Sequence, residues 1–222
     1  MTFLQICQRL RQEAGLSGTG PSAVTGQTGE MQRVVDWALS GYHDIQDLHA
    51  TWRFLRTDFS FSTIASIQEY TPTAAGYSDL AKWICDDIRI YSSISDESIL
   101  EYLPWDDFRL GYMYGSSRTQ EGRPSLCSVK PNNSLMLWQL PNAVLTVNGE
   151  YYKVTQTMTA NSDIPLIPPQ FHMAIVWKGL MHYAYYAAAD EVYAHGETQF
   201  NEKYTALELD QLEDMGWGEP LA

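Results

Sequence analysis

Residues 151–191 read YYKVTQTMTANSDIPLIPPQFHMAIVWKGLMHYAYYAAADE, and the chain changes its architecture within this stretch. Before the prolines of this stretch, apolar and polar residues alternate, as in short β-strands separated by Pro-Asn and Asn-Gly turns. The alternating residues are Leu135, Leu137, Val144, Thr146, Tyr152 and Val154. After Pro168 and Pro169, apolar residues recur about every 3.6 positions, which predicts a long helix from Ile175 to Ala194. The prolines therefore separate a β-rich part from a helical part.

The N-terminal part of the chain is also predicted to be helical. An apolar stripe predicts a first helix over residues 3–14, with Thr2 as its N-cap. A Gly- and Ser-rich loop follows, and a second amphipathic helix is expected from Thr28–Glu30 to about His49 or Trp52. A glycine at position 41 interrupts this helical pattern at a cost of about 1 kcal/mol relative to alanine.

The middle of the chain, from about Asp58 to Asp163, is predicted to be β-structure with irregular insertions. A short helix is expected to start at Pro104, because proline suits the first position of a helix. The segment from Gly111 to Pro131 is expected to be mostly loop.

The C-terminal part is predicted to contain two helical segments. Gly196 is expected to end the long helix, and Glu197 to Met215 forms a last amphipathic segment. A chain cut after about Gly196 is expected to keep a folded core.

The order helix–β–helix predicts an α+β fold, in which a helical bundle formed by the N- and C-terminal helices carries an inserted β-rich domain. The predicted boundaries are residues 1–57 for the N-terminal helices, 58–167 for the inserted domain, and 168–222 for the C-terminal helices with an acidic tail.

Composition indicates a soluble globular protein. The chain has 222 residues, of which 45% are hydrophobic, and this is enough for a sizeable core. No apolar run approaches the roughly 20 residues that cross a membrane, and no signal peptide is recognisable, so we expect neither membrane insertion nor export. Cys7, Cys85 and Cys127 are too scattered for a disulfide framework or a metal site.

The chain is acidic, with 27 acidic and 14 basic residues and a net charge of −13. Such a chain does not grip nucleic-acid phosphates along a broad surface, because that binding depends on Lys and Arg. A negative wall is still compatible with DNA that slides past it. Between Asp190 and Ala222, nine acidic residues oppose Lys203 alone. This segment is either a solvated helix face or an arm that seeks a basic partner.

We find no catalytic or cofactor motif in the sequence. The five histidines, His43, His49, His172, His182 and His195, do not have the spacing of zinc ligands. No serine lies in a nucleophile-elbow motif, and no glycine-rich nucleotide loop is present. We therefore expect no enzyme activity, no cofactor and no metal.

The aromatic residues allow a second interpretation. Seven Trp, 14 Tyr and 7 Phe are present. A carbohydrate-binding or glycan-cleaving module would stack sugars on Trp83, Trp105 and Trp138 and use Asp106 or Asp107 as the acid. The tyrosines of the cluster 183–186 do not fit one helix face, so some of them are expected to meet the β domain or another subunit. Arg118 and Arg123 are candidate partner contacts in the mid-chain loop.

The order of segments along the whole chain resembles the head-to-tail connector adaptor proteins of tailed bacteriophages, which form the ring beneath the portal. The residues that carry this resemblance are Gly26–Gln27–Thr28–Gly29–Glu30, Val34–Val35–Asp36–Trp37, Tyr42–His43–Asp44–Ile45–Gln46, Trp52–Arg53–Phe54–Leu55, Leu135–Met136–Leu137, Pro141, Gly149–Glu150–Tyr151–Tyr152, Ser162–Asp163–Ile164–Pro165 and Pro168–Pro169–Gln170–Phe171–His172. Residues 76–130 match least clearly.

The resemblance implies a structural virion protein that is assembled in the host cytoplasm. Its partners would be the portal protein, a downstream tail or nozzle protein, and further copies of itself in a ring, usually a dodecamer. The ring would surround DNA without sequence-specific binding. The resemblance places portal binding in the C-terminal part, where the candidate residues are Phe200, Tyr204, Leu207, Glu208, Asp210, Glu213, Asp214, Trp217 and Leu221. Another connector or tail-completion protein, one ring further down, is the related alternative, and portal binding separates the two.

Overall fold

The two ends of the chain supply the helices of a bundle, and the middle supplies the β-sheets. The computed structural model describes residues 1–212, which divide into two units. The helical unit comprises Met1–Leu55 and the described part of Thr155–Ala222, and the β-rich unit comprises Arg56–Val154. The predicted α+β fold, with terminal helices and a β-rich middle, is confirmed. Among residues 1–212, no helix combines the length and the apolar character that a membrane span requires.

Helix α1 (Phe3–Glu13) begins where the sequence predicts. The Thr2 side chain accepts a hydrogen bond from the Gln5 backbone N–H at 3.3 Å, and the Gln5 side chain accepts one from the Thr2 backbone N–H at 2.9 Å. This reciprocal capping satisfies two backbone donors that would otherwise lack partners. Helix α2 (Gly29–Asp47) also lies where its apolar pattern predicts.

Helices α2 and α4 (His172–Ala187) approach each other closely at two glycines. A Cβ atom at Gly41 would lie 2.7 Å from the backbone nitrogen of Gly179, and one at Gly179 would lie 3.1 Å from the carbonyl oxygen of Trp37. Gly41 therefore does more than interrupt a helical pattern, because this crossing has no room for a side chain.

The break between the two C-terminal helices lies at Ala188 and Ala189, so the predicted helix end at Gly196 is wrong. Ala188 has a left-handed backbone with φ of 51°, and the Ala189 N–H donates to the Ala184 carbonyl at 2.9 Å. Helix α5 (Asp190–Gln211) then runs straight through position 196. Gly196 is buried in this helix, and a Cβ atom at its position would lie 3.3 Å from the Met181 side chain. The glycine serves helix packing rather than termination.

The segment 155–167 makes its hydrogen bonds within the helical unit, although the sequence placed it in the inserted domain. The Gln156 N–H donates to the Gln46 side chain at 2.7 Å, and the Leu166 N–H donates to the Tyr42 hydroxyl at 2.9 Å. Burial raises the pKa of Tyr42. Extended segments read as strand-like in sequence even when side chains of helices satisfy their backbone groups.

The first sheet of the β-rich unit is antiparallel, with the strand order β1-β10-β3-β4. Its strands are β1 (Arg56–Ser62), β3 (Leu80–Tyr91), β4 (Ser98–Ile99) and β10 (Thr146–Lys153). At one end of this sheet, Thr146 lies between Ser62 on β1 and Tyr91 on β3. The other end carries both connections to the helical unit.

The second sheet has the order β2-β8-β7-β5, with β5 parallel to β7. Its strands are β2 (Glu69–Tyr70), β5 (Glu101–Tyr102), β7 (Leu126–Val129) and β8 (Leu135–Trp138). Strand β7 lies in the segment predicted to be mostly loop, and its first three residues are all buried. A strand buried on both faces shows no alternation of apolar and polar residues, which explains why the sequence pattern missed it.

Three smaller elements complete the β-rich unit. Strands β6 (Glu121–Gly122) and β9 (Leu140–Pro141) form a parallel pair. The short helix α3 (Trp105–Tyr112) follows Pro104, as predicted. Phe59, Trp83, Ile88 and nearby apolar side chains form the main core between the sheets.

Candidate partner-binding surface

The inner face of α5 is part of the core of the helical unit. Phe200 and Leu207 are 6% and 0% exposed. The Phe200 ring stacks on Tyr204 at a centroid distance of 5.3 Å, and the Lys178 ammonium lies 5.4 Å from the Phe200 ring centre. These contacts fix α5 along α4 through apolar burial and a cation–π contact.

The C-terminal half of α5 is joined to the segment after α2 by a polar cluster. The Glu208 carboxylate accepts hydrogen bonds from His49 Nε2 at 2.9 Å and from the Tyr204 hydroxyl. The His49 ring meets Trp52 edge-on at 4.9 Å. Burial, followed by the bond to Glu208, raises the pKa of Tyr204, so the hydroxyl remains protonated and acts as a donor. This cluster orients the last turns of α5.

These contacts divide the residues predicted to bind the portal. Phe200, Tyr204, Leu207 and Glu208 are engaged inside the helical unit, whereas Asp210 is exposed. The remaining four, namely Glu213, Asp214, Trp217 and Leu221, lie outside the described residues. An amphipathic pattern predicts that a face is buried but does not say whether its own chain or a partner buries it.

The same packing argues against a cut after Gly196. Such a cut removes Phe200 and Leu207 and would expose the surfaces of α4 that they cover. The expectation of an intact core in that truncated chain has no support in the structure, because buried α5 side chains belong to the core.

The outer face of α5 is acidic. Glu191, Glu197 and Glu202 are exposed, and they share this surface with Leu209, which is 78% exposed. Helix α5 contains a single Lys or Arg residue, Lys203, which is half-buried. The described helix thus presents negative charge to solvent and leads towards the acidic residues that follow Leu212.

A second surface, at the start of α2, is rich in aromatic groups. The Trp37 ring contacts Tyr183 at 5.4 Å and Tyr186 at 5.5 Å, and the Arg33 guanidinium lies 4.2 Å from the Tyr186 ring centre. Tyr183 and Tyr186 therefore meet α2, while Tyr185 is 86% exposed. Gly29, Glu30, Arg33 and Tyr186 line a small open pocket of about 200 Å³ there.

Among residues 1–212, no group of three or more His, Cys, Asp and Glu side chains is arranged to hold a metal ion. The histidines make structural contacts instead. His182 Nε2 donates to Asp44 at 2.9 Å, and His172 Nε2 donates to the Ile167 carbonyl at 2.9 Å. Burial raises the pKa of the Cys7 thiol to about 12 and that of Cys85 to about 11, so neither is a ready nucleophile.

The tryptophans of the glycan hypothesis do not form an exposed platform. Trp83 is 2% exposed, and its indole N–H donates to the Asn133 carbonyl at 2.9 Å. Trp138 donates to the Ser117 carbonyl at 3.0 Å and packs on Tyr112 at 4.4 Å. The Trp105 ring stacks on Phe108, and Asp106 and Asp107 are exposed on the first turn of α3. Sugar stacking requires several accessible ring faces, and Trp83 is buried while Trp138 packs against Tyr112.

Arg123, a predicted partner contact, is used within the β-rich unit. Its guanidinium donates to the Asp96 carboxylate at 2.8 Å and to the Ile90 carbonyl at 2.8 Å. Arg118 is exposed and remains a candidate contact. No sequence motif distinguished the two arginines, because only the position of Asp96 in space decides which one is paired.

The comparison with protein families gives a match over the whole chain. The family model described as SU10 adaptor protein matches residues 1–222, which is the full length of the sequence. The match covers the helical unit and the β-rich unit alike. No curated protein sequence matches the chain.

Proposed function

The chain belongs to the SU10 adaptor protein family and is thus a phage adaptor protein, and on that premise we propose that it docks under the portal and receives the next tail component. In this proposal the protein forms a dodecameric ring around the DNA channel of the virion. The role is structural and involves no catalysis. The observation that carries the proposal is the family match over the whole chain, which includes both units.

We assign portal docking to the end of α5 and the residues that follow it. Asp210 is exposed at the end of the helix, and Glu213, Asp214, Trp217 and Leu221 come next in the sequence. Phe200, Tyr204, Leu207 and Glu208 take a different part, because they hold the end of α5 in a fixed direction. A rigid helix end lowers the entropy lost when this part of the chain binds its partner.

Charge supports the passage of DNA through such a ring. A chain with 27 acidic and 14 basic residues, and a net charge of −13, repels phosphate overall. DNA would therefore move past the ring without a strong binding step.

The test is portal binding by the full chain and by charge variants of its C-terminal arm. Solution mass and negative-stain images of the chain are recorded with and without the portal from the same genome. We expect a ring on the portal, and we expect Glu213→Gln/Asp214→Asn/Glu219→Gln to weaken portal binding about tenfold or more if the portal surface is basic. Added salt should weaken the binding of the wild-type chain.

The matched control is Glu191→Gln/Glu197→Gln/Glu202→Gln, which removes the same charge from the exposed face of α5. Equal losses in both variants would mean that net charge, rather than the arm, drives docking. A chain that stays monomeric and indifferent to portal would contradict the proposal, and binding one ring further down would then be tested with the other connector proteins.

A further inference from the structure

Three loops meet at the end of the first sheet where β1 and β3 end and β10 begins. Residues 59–68, 90–95 and 140–149 contain no charged side chain, although 18% of the residues in the chain are charged. Ser62 and Tyr91 flank Thr146 in the sheet, so all three loops lie at the same end. Charged residues, such as Glu69, Asp96 and Glu150, begin directly beyond these stretches, so the charge lies at the margin of this end of the sheet.

This end of the sheet exposes aliphatic side chains. The apolar tip consists of Ile64, Ile67, Ile94 and Val144, which are 57%, 41%, 87% and 69% exposed. Single exposed aliphatic residues are ordinary, but four at one end of a sheet mark a docking surface.

Hydrogen bonds join the loop that contains Ile64 to the loop that contains Val144. Thr63 is 1% exposed, and its hydroxyl donates to the Ala143 carbonyl at 3.1 Å and accepts from the Leu145 N–H at 2.8 Å. The buried Tyr70 hydroxyl accepts from the Ile64 N–H at 3.0 Å and donates to the Ile67 carbonyl at 2.9 Å.

The loop with Ile94 is fixed independently of the other two. The Asp96 carboxylate accepts from the Ser93 N–H at 2.8 Å and from the Ser92 hydroxyl at 2.7 Å, and Arg123 binds the same carboxylate. The hydrogen bonds from Ser93 and Ser92 hold the pKa of Asp96 far below its usual range. All three loops are therefore preorganised, so little ordering entropy is lost when a partner covers them.

We propose that the apolar tip is the surface that receives the next tail component, through an apolar and uncharged groove in that partner with a basic group at its edge. The inference rests on the proposed adaptor function and names the surface that performs one half of it. The basic group is inferred from Glu121, an exposed acid at the margin of the tip whose carboxylate accepts from the Ser66 hydroxyl at 3.4 Å.

Charge favours this partner over a membrane or a second copy. Surfaces that bind lipid combine apolar groups with Lys or Arg that are available to lipid phosphates. No Lys or Arg lies within residues 59–68, 90–95 and 140–149, and Arg123, which contacts the loop with Ile94, is paired with Asp96. A contact between the tips of two copies would bring the exposed Glu121 carboxylates of both copies together. A tail protein of different sequence has neither restriction.

The experiment uses full-length variants bound to immobilised portal, with the purified tail protein that follows the adaptor in the same virion as the probe. Val144→Asp and Ile94→Asp each place a charge at the tip without removing a hydrogen bond that fixes the loops. We expect each to weaken tail-protein binding at least about tenfold and to leave portal capture unchanged. Leu110→Asp, on the exposed side of α3 where Leu110 is 75% exposed, is the matched control and should bind as the wild type does.

Salt distinguishes this contact from portal docking. Tail-protein binding to the wild type should hold or strengthen as salt is raised, because apolar burial is not screened, whereas portal docking should weaken. Val144→Ala, which adds no charge, should give a smaller loss in the same direction and covers the case in which an aspartate variant fails to fold.

Four results would overturn the inference. The tail protein could bind Val144→Asp as tightly as Leu110→Asp, or not bind the wild type at all. The tip variants could lose ring formation while retaining the tail protein, which would make the tip a contact between copies. The wild type, but not Val144→Asp, could float with phosphatidylcholine vesicles, which would make the tip a lipid contact. If the wild type is not captured by portal, the proposed function fails, and the chain immobilised directly still tests the tip.

Discussion

The helical unit and the β-rich unit are stabilised in different ways. In the helical unit, regular helices meet at small residues such as Gly41 and Gly179, and backbone atoms approach closely. In the β-rich unit, aliphatic and aromatic side chains together fill the main core, and single polar side chains such as Thr63, Tyr70 and Arg123 fix the loops. We therefore expect the helix crossing to be destabilised when one atom is added, and the loops to be destabilised when one hydrogen-bonding group is removed.

Trp83→Ala should have the largest effect, because it opens a cavity in the core of the β-rich unit and leaves the Asn133 carbonyl without its donor. We expect a loss of about 3–5 kcal/mol in the free energy of unfolding, measured with denaturant. Hydrogen exchange should accelerate in β1, β3 and β10. Equal acceleration in α2 and α4 would show that the two units unfold together.

Gly41→Ala should destabilise the helical unit by up to about 3 kcal/mol, because the new Cβ atom meets the backbone of α4. Gly111→Ala in α3 is the control, since a Cβ atom at Gly111 meets nothing within 4 Å. That substitution should stabilise the protein by as much as about 1 kcal/mol through helix propensity. A neutral or stabilising Gly41→Ala in denaturant titrations would contradict the close crossing.

Arg123→Gln should destabilise the β-rich unit by about 1–2 kcal/mol, because it removes donors from Asp96 and from the Ile90 carbonyl. The expected local result is faster amide exchange at residues 92–96. Arg118→Gln, which changes an exposed arginine of the same unit, should alter stability by less than about 0.5 kcal/mol. Similar losses in both variants would argue against a specific role of Arg123.

The smallest expected effect is a pH dependence that differs between the units. All five histidines belong to the helical unit. Burial lowers the pKa of His172 below its usual 6.5, so the fold favours the neutral ring. The contribution of His172 is therefore present above pH 6.5 and is lost as the pH falls below it, at no more than about 1.4 kcal/mol per pH unit.

The corresponding groups of the β-rich unit respond at more acidic pH. The bond from Lys130 lowers the pKa of Glu69 below 4.5, and that of Asp96 is lowered as well. Their contribution is present above about pH 4.5 and is lost only below it. Hydrogen exchange between pH 7.5 and 5.5 should thus change in the helical unit first, and less so in His172→Gln. An equal slope in His172→Gln would assign the effect to other groups.

Much of the fold could be predicted from periodicity alone. The Thr2 cap, the two N-terminal helices, the helix after Pro104 and the order helix–β–helix are where local patterns place them. Strand β7 and the break at Ala188 could not be predicted. A strand buried on both faces has no alternation, and an alanine in a left-handed conformation has no local signature.

For the candidate surfaces, too, some properties could be predicted from the sequence and others could not. Acidity, the absence of catalytic motifs and the resemblance to adaptors were apparent from the sequence, and the family match confirms the resemblance. The use of Phe200, Leu207 and Glu208 inside the chain was not, nor was the apolar tip. The members of the tip come from loops far apart in sequence, so composition gives no indication that they meet.

Local patterns in the sequence are sufficient to place most of the helices and strands, to identify the apolar faces of the helices and to show the excess of negative charge, because these properties depend on neighbours along the chain. Packing in three dimensions determines what covers each apolar face. It buried the inner face of α5 against its own bundle, left four aliphatic side chains uncovered at the end of a sheet, and brought Gly41 against Gly179. These outcomes depend on distances between residues remote in sequence, which packing fixes and local pattern does not.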